Sequence, residues 1–341
     1  MSSPAPSLPP VRTDASEDIP VLDLGPYRRG EAGAKDVLAR ALRHCFEDVG
    51  FYFIVNHGVG QELIDGAYEA ARRFHAQPLE KKLEIRLNQY NIGYLPMRGG
   101  TTRHSSLNEN NKPNVNEAFF CAREVGADDP DVRREPPYRS VNRWPSDLPG
   151  FREACLSYAA ALETLCRSLV PLYALALDLP ESYFDDAFSR PIFKLRMSHY
   201  PPADPDADNE FGLAPHTDTS FMTLLAPNKV PGLSIRLPTG RWVYAPAIDG
   251  AFLVNGGDML RRWTNDRFLA TPHRVVNRTR AERYALPFFF DCNADHVMAC
   301  LPTCTGPDNP PKYEPIDYVA YMAWFRNMNY AGFAKDGKGG G

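Results

Sequence analysis

His216-Thr217-Asp218 is the triplet in this sequence whose residue types and spacing most suggest chemistry. In an extended strand, residues two apart face the same side, so an imidazole and a carboxylate would converge there. A second imidazole, His273, follows Asp218 after 54 intervening residues, inside the β-rich run ATPHRVVN. An antiparallel fold can return the chain over that distance to lie beside the first pair. Two imidazoles and one carboxylate on one side of a metal leave three coordination positions open, the facial arrangement used for non-haem Fe(II). A His-x-Asp triplet alone is weak, and a polar strand end plus an unrelated core histidine accounts for the same residues. The other six histidines (His44, His57, His75, His104, His199 and His296) lack comparable company in the sequence.

Arg283 decides between the two readings. It falls ten residues after His273, in the run RYALPFFF. A buried strand that apolar rarely carries an arginine without a partner. The planar guanidinium fork suits a carboxylate. A metal triad with an inward arginine therefore asks for an acidic co-substrate that spans the two, which points to 2-oxoglutarate. An arginine in a salt bridge at a barrel rim is the other reading.

These residues need a β scaffold, and the rest of the chain supplies one. Of 341 residues, 32 are proline and 24 glycine, so many short elements joined by fixed turns are expected rather than a long-helix bundle. From residue 193 the runs FKLRMSHY, FMTLLA, LSIRL, RWVYA, AFLVN, ATPHRVVN and RYALPFFF recur at near-regular spacing, the pattern of an all-β sandwich or barrel. Upstream, IPVLDL at 19–24 and FYFIVN at 51–56 read as strands, and 34–49 and 61–75 as amphipathic helices. Residues 88–150 are loop-like apart from a strand at 115–122. A long apolar helix at 151–177 should kink or divide at Pro171, and a shorter one follows near 180–187. The last helix is expected at 316–329. The chain thus divides into a flexible arm (1–18), a mixed α/β region with a substrate-side loop (19–150), a helical scaffold (151–192), a β core (193–300), and a C-terminal helix with a flexible tail (301–341).

The totals narrow the partners. With 38 basic and 42 acidic residues the formal charge is −4, which argues against nucleic acid or an anionic membrane surface as the main partner. No run approaches the ~18 apolar residues of a membrane span. Seven scattered cysteines without a Cys-x-x-Cys pair, and an N-terminus without a basic-then-apolar leader, lead us to expect a cytoplasmic protein without a disulfide framework. Cys300 and Cys304 near His296 suggest zinc only weakly, because a fourth ligand is missing. Oligomeric state cannot be read from these features.

HTD…H with its 54-residue spacing, the arginine ten residues later, and IPVLDL, GFYFIVNHGV and MSHYPP together resemble the isopenicillin N synthase-like branch of the Fe(II)/2-oxoglutarate-dependent oxygenases. The resemblance covers about residues 19–330. It implies a mainly β fold with flanking helices around a double-stranded β-helix (jelly-roll) core. It also implies Fe(II) held by His216, Asp218 and His273, and 2-oxoglutarate held by Tyr200 and Arg283. The implied reaction consumes O₂ and couples decarboxylation of 2-oxoglutarate to succinate with hydroxylation or desaturation of a small organic substrate. One position departs from the family's Arg-x-Ser: this chain reads Arg283-Tyr284-Ala285, so a hydroxyl donor to the co-substrate is missing. Ethylene-forming members resemble Arg-aromatic-Ala here. Ethylene or succinate formation from 2-oxoglutarate itself, a 2-oxoglutarate-independent iron oxidase, and a ligand-binding jelly-roll without turnover are the alternatives. Substrate choice is expected in the 88–114 loop, the 115–122 strand and the C-terminal helix, with Arg98, Arg103, His104 and Asn116 as contacts. Phe288, Phe290 and Trp242 either wall the pocket or are plain core.

Overall fold

The computed structural model describes residues 19–102, 107, 112–134, 139–202 and 210–329, with side chains as far as 325. The expected arm (1–18) and tail, and the substrate candidates Arg103 and His104, lie outside the described residues. The chain opens with β1 (Val21–Asp23), α1 (Gly25–Arg28), α2 (Ala34–Asp48), β2 (Phe51–Val55), α3 (Gln61–His75) and α4 (Leu79–Leu83). β3 (Gly93–Leu95), β4 (Glu117–Ala122) and α5 (Pro130–Arg133) interrupt the loop-like stretch, and α6 (Phe151–Ala176) follows. The β core runs through β5 (Ile192–Tyr200), β6 (Leu213–His216), β7 (Met222–Leu225), β8 (Leu233–Arg236), β9 (Trp242–Tyr244) and β10 (Phe252–Asn255). It continues through α7 (Asp258–Trp263), β11 (His273–Val275), β12 (Arg283–Ala285) and β13 (Pro287–Asp291). The short strands β14 (Val297–Met298) and β15 (Ile316–Asp317) pair with each other ahead of α8 (Tyr318–Asn329).

Two sheets face each other. The larger has nine strands in the order β1-β2-β10-β7-β13-β5-β4-β3, with β12 also paired to β5. The smaller runs β6-β11-β8-β9. The period-2 alternation of each strand builds two cores. Phe51, Phe53, Tyr200 and Leu253 of the larger sheet meet Leu233, Ile235 and Val275 of the smaller between the sheets. Tyr52, Ile54, Phe252, Val254, Phe288 and Phe290 face the other way, into a core shared with α2, α3 and α6.

Three expectations change in detail. α6 runs unbroken through Pro171, because Leu169, Val170, Leu172 and Tyr173 are buried against the sheet and hold the segment helical across the missing donor. Although its length and composition would suit a membrane span, more than half of its apolar stretch is buried in the protein. Residues 181–188 form successive turns instead of a helix. RYALPFFF splits into β12 and β13, which keep one register against β5 on either side of Leu286.

Candidate metal and co-substrate site

The antiparallel pairing of β6 with β11 sets His216 directly opposite His273, and Asp218 lies two residues past the end of β6. The rings stand 4.3 Å apart, centroid to centroid. His216 Nε2 is 3.7 Å and His273 Nε2 3.6 Å from Asp218 Oδ1. Each ring is fixed from behind, since His216 Nδ1 faces the Ala214 carbonyl at 2.9 Å and His273 Nδ1 the Thr271 carbonyl at 3.3 Å. Donation from Nδ1–H to a carbonyl leaves the Nε2 lone pair aimed at the common focus, which is how metal-binding histidines are oriented. Asn255 donates to Asp218 Oδ2 at 2.9 Å and so turns Oδ1 inward.

The electrostatics keep this donor set ready for a cation. Burial, and then the neighbouring His273, hold the His216 imidazole neutral, with its pKa lowered to about 3. Burial alone would raise Asp218, but the two imidazoles and the Asn255 donor prevail and keep it ionised. The loop carrying Asp218 passes tightly over Gly257, where a Cβ would lie 2.4 Å from the Ser220 carbonyl and 2.6 Å from that of Asp218. The Asp258 N–H also donates to the Asp218 carbonyl at 2.7 Å. Two imidazoles and one carboxylate, buried and each fixed from behind, fit a divalent iron ion.

Arg283 stands on the neighbouring wall, where β12 pairs it with Tyr200 of β5. It is 3% exposed, its Nη1 has no hydrogen-bond partner, and its Nε donates to the Val230 carbonyl at 3.3 Å. The guanidinium lies 5.0 Å from the centre of the Tyr200 ring. A buried cation with an open donor needs an anion, and none of the described side chains gives it a salt bridge. Ala285, the position that departs from Arg-x-Ser, pairs with Ser198, whose hydroxyl is fully buried and has no partner.

The triad, Arg283, Tyr200 and Ala285 line one cavity of about 220 Å³. The 88–114 loop, β4 and α8 contribute to its lining, through Asn91, Thr102 and Asn114, through Phe120, and through Tyr318 and Phe325 respectively. Asn116 lines it too and donates to the Gly212 carbonyl. Arg98 does not, because both its Nη atoms are engaged by Glu210 at 3.0 Å in a half-exposed pair. Phe288 and Phe290 are plain core: they have the opposite parity to Arg283 and face the helices, whereas Phe289 faces the cavity. Trp242 is not in the lining and lies under the Arg274 guanidinium at 4.1 Å.

Sequence reading missed a second convergence, because its members come from α3, α4, β3, β4 and β5. Glu117 Oε1 accepts from His199 Nδ1 at 2.8 Å and lies 3.5 Å from His75 Nδ1, while Glu117 Oε2 takes Lys82 Nζ at 2.8 Å and the Tyr94 hydroxyl. Glu282 holds His199 Nε2. Burial opposes charge on His199, but Glu117 and then Glu282 outweigh it and raise its pKa. This cluster is closed by protons and a lysine, unlike the triad, whose donor atoms stand apart. Among the described residues these are the two groups of metal-ligand type, and neither includes Cys300, Cys304 or His296. All seven cysteines are free.

Residues 19–147 match the model for the non-haem dioxygenase in morphine synthesis N-terminal region, and residues 192–291 match that of the 2OG-Fe(II) oxygenase superfamily. The chain belongs to the 2OG-Fe(II) oxygenases. Within them it is isopenicillin N synthase-like. The oxygenase is 37% identical to the 2-oxoglutarate-Fe(II) type oxidoreductase hxnY of Emericella nidulans, over 87% of this chain and 86% of the relative. It is 32% identical to kihadalactone A synthase LFS of Citrus sinensis, over 88% and 90%. Among solved structures, a full-length Neurospora crassa protein in complex with alpha-KG superposes with a TM-score of 0.79 at 26% identity, covering 90% of this chain and 95% of that one. JOX2 in complex with 2OG, Fe and JA does so with 0.74 at 27%, covering 90% and 85%. The jelly-roll core and the use of Fe(II), 2-oxoglutarate and O₂ follow from this membership.

Proposed function

We propose that His216, Asp218 and His273 hold the Fe(II) of this oxygenase, and that Arg283, Tyr200 and Ser198 hold 2-oxoglutarate. The observation that carries this reading is the convergence of two imidazole lone pairs and one carboxylate oxygen, each fixed from behind, beside a buried arginine with an open donor. When bound, iron and 2-oxoglutarate supply the activation of O₂ and the decarboxylation to succinate that drives oxidation of a small organic substrate.

The chain's own residues position and exclude. Arg283 receives the far carboxylate with its planar fork, and the Tyr200 ring beneath it fixes the guanidinium plane. Ser198 replaces the hydroxyl that is absent at Ala285. Residues directly opposite on antiparallel strands have Cβ atoms about 5 Å apart, so its unpartnered Oγ is the hydroxyl directly across the strand pair from Ala285. Phe51, Leu225, Leu233, Leu253 and Val275 line the cavity with apolar surface and keep water from the reacting centre. Asn255 holds the unused oxygen of Asp218 and so keeps one carboxylate oxygen for the metal.

The test is spectroscopic. Anaerobic Fe(II) with 2-oxoglutarate is expected to give a weak visible charge-transfer band, lost in His216→Ala. No band in the wild type, with no succinate released across a screen of amino acids, small acids and aromatic compounds, overturns the assignment. The Arg283-Tyr284-Ala285 motif keeps ethylene formation as a second reading, which headspace gas analysis with 2-oxoglutarate and arginine decides.

A further inference from the structure

We propose that Arg196 anchors a carboxylate on the primary substrate, so that the substrates of this enzyme are small, flat organic acids. The proposal rests on the oxygenase reading of the same cavity and names what its substrate half recognises.

β5 sends Lys194, Arg196 and Tyr200 to the cavity side, while Phe193, Leu195 and Met197 enter the helix-side core. Arg196 therefore shares a strand face with Tyr200, the cross-strand partner of Arg283, and lines the same cavity as His216, Asp218 and His273. Three basic side chains line the cavity: Lys194, Arg196 and Arg283. Arg283 is the co-substrate's. Lys194 donates to the Tyr90 carbonyl at 3.0 Å and also lies near enough to Asp291 to stabilise its charge. Arg196 repeats the pattern of Arg283. Its Nη2 donates to the neutral Asn116 Oδ1 at 3.1 Å, its guanidinium lies 5.3 Å from the Phe120 ring centre, and its buried Nε has no hydrogen-bond partner. Among the described residues no carboxylate forms a salt bridge with it.

A guanidinium held between an amide and an aromatic face, with no carboxylate partner among the described residues, is preorganised for a planar anion. The carboxylates nearest the focus are committed elsewhere. Asp218 belongs to the triad, Asp258 takes the Thr217 hydroxyl and Arg261, and Asp291 accepts the Phe221 N–H and the Tyr318 hydroxyl. The missing charge is left for the ligand to supply. Phe120 lies beside Arg196, Phe289 and Phe325 add aromatic surface to the same cavity, and Leu87 and Leu95 add apolar lining, which suits a flat ring system behind the acid group. A cavity of about 220 Å³ shared with the co-substrate keeps that ring system to one or two rings.

Matched probes test this directly. Cinnamate and 2-naphthoate, each against its primary amide, are titrated anaerobically into the full-length protein loaded with Fe(II) and 2-oxoglutarate, and binding is read by calorimetry and by the shift of the visible band. Each acid is expected to bind at least about tenfold more tightly than its amide, the effect of one charge-assisted hydrogen bond. Arg196→Gln should erase that preference, and Arg196→Lys should restore part of it. Equal affinity for acid and amide, failure of both acids to bind at millimolar concentration, or a preference that survives in Arg196→Gln overturns the proposal. The visible band forms before any probe is added, so failure of the Fe(II)/2-oxoglutarate assignment is seen separately.

Discussion

Arg283→Gln should move stability and co-substrate affinity in different ways, and the contrast tests whether this arginine serves the ligand or the fold. In the ligand-free protein Arg283 is 3% exposed and one of its donors is unpaired. An unsatisfied buried donor costs about 1–3 kcal/mol, so removing it relieves the fold of a burden while leaving a small void. The two effects oppose each other, and the melting midpoint of the ligand-free variant should stay within about 3 °C of wild type. Co-substrate binding loses a planar charge-assisted pair in a buried site, about 2–4 kcal/mol, or roughly 30- to 900-fold in the KM for 2-oxoglutarate. Thermal melting with Mn(II) in place of Fe(II) reads both. At a hundredfold excess over Kd, 2-oxoglutarate adds about 2.7 kcal/mol, a rise of about 5 °C for a chain this size, and the variant should show no more than about a third of it at the same concentration. A variant that melts more than about 6 °C lower yet keeps the full ligand-induced rise would show that Arg283 is structural and refute the reasoning.

Ser198→Ala should raise the KM for 2-oxoglutarate about 2- to 12-fold, the worth of one hydrogen bond, and adding Ala285→Ser should recover much of it; an unchanged KM in Ser198→Ala removes that residue from the site. Gly257→Ala drives a Cβ into the Ser220 and Asp218 carbonyls and should displace the Asp218 loop, so Fe(II) stoichiometry measured by elemental analysis should fall well below one; full occupancy would contradict it. His199 gives a pH dependence whose sign follows from its raised pKa. Its pairing with Glu117 and Glu282 is fully present below the unfolded value of about 6.5 and is lost as pH rises through the higher folded value. The melting midpoint should therefore fall between neutral and alkaline pH by more in the wild type than in His199→Gln, and parallel curves would show that the pair contributes nothing.

The legible part of this molecule was whatever a period of two residues could carry. The two-residue spacing brought His216 and Asp218 together on paper, although Asp218 lies on the loop just past β6, and the same parity groups Arg283 with Ala285 within β12. The same rule, taken further, separates Phe289 from Phe288 and Phe290, and ties Arg196 to Tyr200. Counting in twos along β12–β13 from Arg283 reaches Phe289, and counting back along β5 from Tyr200 reaches Arg196 by way of Ser198. The missed cavity residues were therefore written in the sequence, but apolar run and charge drew the eye to Phe288, Phe290 and Arg98 instead. Register between strands is another matter. Nothing local says that Ser198 stands opposite Ala285, or that β11 returns to β6 rather than to another strand, because cross-strand pairing depends on turns and packing far from both residues. The buried network of His75, Lys82, Glu117 and His199 lay deeper still, since four elements contribute one group each. Its place is nonetheless physical. His199 precedes Tyr200, Glu282 precedes Arg283, and the pair between them ties together the two strand ends that carry the residues proposed to hold the co-substrate, so the polar cluster behind the sheet braces the geometry in front of it.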